Sequence, residues 1–244
     1  MNRFGILPYL FLSTILSLPV THAQPGKNQA TVPVNIGSRL ELFVDSLIVE
    51  NLNGVELCLH SPVKLSLPES PVKGGYMTVI KDGDLYRAYY RVIDENVAGE
   101  KTDGTTAEYT CYAESKDGHE WTFPYLGIYE IKGTRDNNVI LAELPPFTHN
   151  FCPFLDTRPG VEEKEQFKAL AGTRKSGLHA FISADGIHWK KAGSEPVITL
   201  GAFDSQNVSF WSETEQKYVC YFRTFIEVPG EKRIRSISRT TSAD

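Results

Sequence analysis

The sequence predicts an all-β fold, built from short antiparallel sheets that recur along the chain as β-propeller blades do. Three observations carry that prediction. With 244 residues, 19 Gly, 14 Pro, 11 Tyr and 13 Phe, the composition suits short strands joined by tight turns. No stretch carries the 3.6-residue apolar period of a helix, and Gly160 to Glu165 makes at most a turn. One string, Ser-x-Asp-Gly-x-x-Trp, also follows an alternating strand pattern twice, at Ser115–Trp121 and at Ser183–Trp189.

The physics of that string is a turn. Ser and Asp side chains bond nearby backbone N–H groups, and Gly supplies the position with positive φ. The Trp then opens the next strand and offers a large ring for packing. A β-sandwich would also show many short strands, but it would not place one turn string at the same point of each unit.

The elements follow in order. Residues 1–23 read as a secretory signal peptide: Arg3, an apolar run from Phe4 to Val20, and a small residue, Ala23, before a polar stretch. Pro8 and Pro19 argue against a membrane anchor there, so the mature protein is expected to be exported, periplasmic or extracellular. Residues 24–38 read as a linker and 39–244 as the propeller domain. Its first unit has strands at Tyr76–Ile80 and Leu85–Arg91 around a Lys81–Asp84 hairpin turn, then Tyr109–Ser115 and the first turn string. The second has Asn150–Leu155, a longer loop, Gln166–Ala171 and Gly177–Ser183 with the second string. The third has Asn207–Trp211, a charged turn, Lys217–Arg223 and Arg233–Arg239. It closes on Ser242-Ala-Asp244, the opening of the string once more. The units recur about every 60 to 70 residues, and the expectation is two and a half to three blades of a larger ring, an N-terminal fragment of a longer protein.

Charge and cysteines narrow the function. With 25 Lys and Arg against 30 Asp and Glu, the formal charge is −5, and the basic footprint a nucleic-acid partner would need is missing. Beyond the signal peptide no segment reads as a membrane span. Cys58, Cys111, Cys152 and Cys220 lack zinc-ligand spacing, and the last three sit in apolar strand runs, which suits buried free thiols over disulfides. No metal or other cofactor is expected. The sequence has no phosphate-cradling Gly-rich loop, no HExxH and no nucleophile elbow.

The turn strings resemble abbreviated Asp boxes of the sialidase-like propellers. The segments His149-Asn150-Phe151-Cys152-Pro153-Phe154-Leu155-Asp156 and Phe203-Asp204-Ser205-Gln206-Asn207, which lead into inner strands, are similar to those of another group. That group is the five-bladed propeller glycoside hydrolases of families 32, 43 and 68, the invertases, levansucrases and arabinanases. More closely, the chain from about Arg39 to Asp244 resembles exported bacterial proteins described as glycosyl-hydrolase-like. The resemblance implies a five-bladed ring, a carbohydrate substrate, and carboxylates at the axial starts of inner strands. This sequence departs from the family pattern. It has no Asn-Asp-Pro-Asn-Gly, Arg-Asp-Pro or Glu-Cys, and the matching positions carry Gly75-Tyr76, His149-Asn150 and Gln206-Asn207. No family catalytic residue therefore carries across by position.

Glycoside hydrolysis uses two carboxyl groups, about 5–5.5 Å apart for retention and about 6.5–9.5 Å for inversion. The candidate catalytic residues are Asp204, just before an inner strand, Asp156, just after one, and Asp45, which interrupts the apolar run Leu42–Val49. The candidate substrate-binding residues are Tyr76, as a stacking platform, and the polar His149, Asn150, Gln206 and Asn207. The expected function is hydrolysis of a glycosidic bond of a carbohydrate. The alternative is a non-catalytic carbohydrate-binding or interaction propeller. Oligomeric state is not legible.

Overall fold

The computed structural model describes residues 33–244 apart from 39, 44, 46, 64–69, 98–103 and 231. The signal peptide at 1–23 and linker residues 24–32 lie outside the described residues. The chain divides into two units, residues 1–66 and 67–244.

In the first unit the described residues form turns and bends, with no helix or strand among them. The described residues of the apolar run around Asp45 are therefore not in a strand. Asp45 sits in a bend, its Oδ1 accepting the Leu47 amide at 2.9 Å, and Leu42, Phe43 and Leu47 are exposed. Apolar residues alone do not make a strand; a partner ladder and a face to bury are also required.

The second unit is all-β. Its first sheet has β1 (Gly75–Asp82), β2 (Leu85–Ile93), β3 (Glu108–Ser115) and β4 (Trp121–Thr122) in that order, with β5 (Val139–Leu141) also paired to β3. The second has β6 (Cys152–Leu155), β7 (Phe167–Thr173), β8 (Gly177–Ser183) and β9 (Lys190–Lys191). The third has β10 (Val208–Ser212), β11 (Lys217–Ile226) and β12 (Ile234–Ser242). Every pairing is antiparallel. The only helical turn among the described residues is the 3-10 segment Glu163–Glu165. β5 is a three-residue Val-Ile-Leu run, too short for a period to mark it in the sequence.

Aromatic residues fill the space between sheets. Tyr89 and Tyr112 of the first sheet meet Phe151, Phe167 and Phe181 of the second in one buried cluster. A further cluster joins Leu170 and Leu178 of the second sheet to Phe203, Cys220 and Phe222 at the third. Each fully buried side chain of this size contributes about 1.5–3 kcal/mol, so these clusters are what hold the sheets together. Burial also raises the thiols, Cys111 to about 12 and Cys152 to about 11, the latter opposed by the Thr78 hydroxyl. Both behave as small core residues.

The two turns carrying the recurrent string are bonded alike. In the first, Ser115 Oγ accepts the Gly118 amide at 2.8 Å, and Asp117 Oδ1 accepts the His119 and Glu120 amides at 2.8 and 2.9 Å. In the second, Ser183 Oγ accepts the Gly186 amide at 2.9 Å, and Asp185 Oδ1 accepts those of Ile187 and His188 at 2.9 and 2.8 Å. The indoles of Trp121 and Trp189 donate to the Gly118 and Gly186 carbonyls at 3.2 and 3.0 Å. Both rings are half-buried.

What positions the site is the order of strands. β1 lies against β6, and β6 against β10, so the first strands of the three sheets are neighbours. The registers put the start of each first strand beside the end of the second: Gly75 pairs with Arg91, Cys152 with Leu170, Val208 with Tyr221. The β2–β3, β7–β8 and β11–β12 connections therefore share that end, and the Ser-Asp-Gly turns occupy the other.

Candidate functional site

The shared end gathers residues distant in sequence. At the start of β1 the register slips between Gly75 and Thr78, a bulge that re-aims the side chain it carries. Tyr76, at φ 46°, sits in that bulge. Its hydroxyl donates to the Asp204 carbonyl at 2.8 Å. Its ring meets the His149 imidazole edge-on, with centroids 5.4 Å apart, and the Arg91 guanidinium lies over it at 4.3 Å.

Behind Tyr76 lies a buried charged group. Arg91 Nη1 is 2.7 Å from His149 Nδ1 and 3.5 Å from Glu108 Oε1. His149 Nδ1 is also 3.0 Å from that carboxylate, and Glu108 is only 5% exposed. Glu108 Oε2 accepts the Gly104 amide at 2.9 Å. A carboxylate this deep needs such partners, because desolvating an unpaired charge costs several kcal/mol (about 3–5 when one partner is removed).

Asp204 closes the group from the third sheet. Arg223 Nη1 holds its Oδ2 at 3.0 Å, while its Oδ1 is a buried atom with no hydrogen-bond partner. The residue lines a cavity of about 800 Å³, together with Gly104, Thr173, Ser176 and Phe225. Phe203, just before it, takes φ 58°. An aromatic residue held at positive φ costs about 1–3 kcal/mol and persists only where its surroundings compel it.

The remaining sequence candidates divide. Asn150 is fully buried; its amide donates to the Gly172 carbonyl at 2.6 Å and to the Phe203 carbonyl, and accepts the Gly172 amide at 2.9 Å. Gln206 donates to the Met77 carbonyl at 2.9 Å and to Thr78 Oγ1 at 3.0 Å, tying the third sheet to β1. Asn207, also fully buried, donates to the Ser205 carbonyl at 3.1 Å. The structure thus brings Tyr76, His149, Asn150, Asp204, Gln206 and Asn207 to one end. Asp156 is not among them. It follows β6 at the opposite end, its side chain wholly enclosed by an ion pair with Lys168 and a 2.6 Å hydrogen bond from the Tyr218 hydroxyl. Asp45 belongs to the first unit.

Three residues of the group escape a reading by strand starts: Arg91, Glu108 and Arg223. A signal for two of them is present. The second strands of the first and third repeats, as read from the sequence, both end on Arg, at Arg91 and Arg223, one beside Glu108 and the other beside Asp204. Glu108 follows the undescribed segment 98–103 and opens β3 without any motif. Among the described residues no group of His, Cys, Asp and Glu is placed to hold a metal ion.

No protein-family model matches the chain, and no curated protein matches it. Among solved structures it is similar to a glycosyl hydrolase from Bacteroides ovatus, at 12% identity and a TM-score of 0.32, over 67% of this chain and 65% of that one. The chain therefore spans slightly less than two thirds of that protein's length. At such a TM-score the likeness does not identify fold or chemistry.

Proposed function

We propose that residues 67–244 form part of a glycoside hydrolase-like β-propeller, that the protein is exported, and that it hydrolyses a glycosidic bond in the cavity beside Asp204. Adjacent first strands in three meandering sheets, with their loops gathered at one end, support the propeller reading. The apolar, small-residue-terminated stretch before Gln24 supports export.

The observation that carries the chemistry is Asp204. One carboxylate oxygen is tethered by Arg223, and the Tyr76 hydroxyl fixes the backbone beside it. The other oxygen, buried and without a partner, belongs to a residue that lines the cavity. A carboxylate fixed by an arginine, with one enclosed oxygen that no hydrogen bond occupies, suits a nucleophile or a base that activates water once a substrate opens a path to that oxygen. Glu108 is the second carboxylate at this end, and its Oε2 accepts the amide of Gly104, which lines the same cavity. The test is Asp204→Asn, assayed over a panel of plant and microbial glycans. Turnover should fall at least about a hundredfold, the usual scale for an acid–base group, with the fold intact by circular dichroism. Unchanged turnover would remove Asp204 from the reaction.

A second reading, carbohydrate binding without cleavage, is favoured by one feature. Both carboxylates are paired to arginines, and Glu108 is enclosed. In that case the unaltered chain binds glycans and releases no reducing ends, and Asp204→Asn changes affinity alone.

A further inference from the structure

We infer that the carbohydrate taken by this cavity is anionic, bearing uronate or sulfate groups; the inference rests on reading the cavity as the carbohydrate site. Arg174, Lys175 and Arg233 line it, against a single carboxylate, Asp204. That balance runs opposite to the chain as a whole, where acids outnumber bases 30 to 25. The three cations also come from separate places. Arg174 and Lys175 form the tip between β7 and β8, and Arg233 stands just before β12. Two sheets therefore deliver positive charge to one cavity.

None of the three has an ion-pair partner among the described residues, whereas Lys132, Lys168 and Arg239 are all paired with carboxylates. Arg233 is exposed yet held, its guanidinium 4.5 Å from the centroid of the Phe225 ring, with Arg223 5.1 Å from the same ring. A guanidinium fork matches the planar carboxylate of a uronate, and serves a sulfate ester as well. Exposed pairs are individually weak because water and salt screen them. Three unpaired cations around one cavity therefore suit a ligand with charge on successive sugars. The negative charge of the Asp204 carboxylate disfavours an anion held close to it. The acidic substituents are accordingly assigned to the side of Arg174, Lys175 and Arg233, and the uncharged glycosidic linkage to Asp204.

Calorimetric titration of the full chain tests this, using oligogalacturonate, chondroitin sulfate oligosaccharide, neutral xylo- and cello-oligosaccharides, and polyglutamate. At least one anionic glycan should bind about tenfold or more tighter than the neutral ones. Raising salt from about 0.05 to about 0.5 M should weaken it by a similar factor. Lys175→Glu and Arg233→Glu should each abolish the preference without moving the thermal midpoint, since both side chains are exposed. The galacturonate and chondroitin sulfate arms separate uronate from sulfate recognition. Preference for neutral glycans overturns the anionic assignment and leaves the carbohydrate reading standing. Equal binding of polyglutamate overturns it too, as charge attraction without sugar recognition. Binding of no glycan removes the carbohydrate reading and this inference together.

Discussion

Asn150 satisfies three backbone groups at once, two on Gly172 and one on Phe203. Truncating it leaves those groups buried and unbonded, which costs about 1–3 kcal/mol for a typical unsatisfied group. Asn150→Ala should therefore lower stability by about 2–3 kcal/mol, read as a lower urea midpoint with an unchanged slope. Asn150→Asp should not rescue it, because a carboxylate cannot donate to the Gly172 and Phe203 carbonyls. The sequence marks Asn150 and Asp156 as polar residues flanking one short strand, and nothing in residue type says how each is used. The difference comes from register. Asn150 precedes β6 at the end where three sheets meet, while Asp156 follows it, where Lys168 and Tyr218 enclose the carboxylate. A strand's direction is invisible until its partners are known, so only the structure could separate the two.

At the scale of elements, turns were more legible than strands, because a turn's chemistry is local. Ser115, Asp117 and Gly118 supply their own bonding pattern, as do Ser183, Asp185 and Gly186. β5 went unread since its pairing to β3 is set by a neighbour about thirty residues away. The two turns nevertheless differ in surroundings, and that separates two variants. Both glycines have positive φ, 78° and 73°, so alanine at either costs about 1 kcal/mol of backbone strain. A Cβ on Gly118 would meet nothing within 4 Å, whereas on Gly186 it would lie 2.6 Å from the Tyr89 hydroxyl and 3.3 Å from Phe167. Gly186→Ala should thus lower the melting temperature clearly more than Gly118→Ala, and equal losses would show that the Tyr89–Phe167 wall yields. The same turns set an acid limit. The Glu120 and His119 amides and the Ser115 hydroxyl hold the Asp117 carboxyl down at about 2. Burial pushes Asp185 upward, but the His188 amide and ring and the Ile187 amide outweigh it and keep that carboxyl low as well. A carboxyl depressed on folding contributes stability that is present above its unfolded value, near 3.8, and lost as pH falls through the folded one. Urea midpoints should therefore drop between about pH 4 and about pH 2. Asp117→Asn, whose amide does not titrate, should show a shallower drop.

Across the whole second unit, the candidate site was legible in part because strand starts can be located from alternation and turns alone. Tyr76, His149, Asp204, Gln206 and Asn207 were found that way. Arg91 and Arg223 required knowing that second strands end where first strands begin, and Glu108 required the ion group itself. The third sheet is packed on one face and open on the other. Val208, Phe210, Tyr221 and Ile237 share the open face, with Ile237 74% exposed. Ile237→Lys should change the unfolding free energy from urea titration by no more than about 0.5 kcal/mol, as for a surface site, while reducing binding of a hydrophobic dye such as ANS. A large loss of stability would mean that this face is covered in solution.

The two ends of these sheets answer to different demands. One is stitched by Ser and Asp side chains committed to nearby backbone amides and by Gly at positive φ, which leaves little freedom to vary. The other is edged by hairpin tips such as Arg174-Lys175, which carry no ladder bonds and can change with little cost to the sheets beneath. Substitution at such tips leaves the pairing beneath undisturbed, while substitution in the turns removes bonds that the fold itself uses. Tolerance to change is thereby concentrated at one rim of the sheets, a replaceable fringe on a fixed frame.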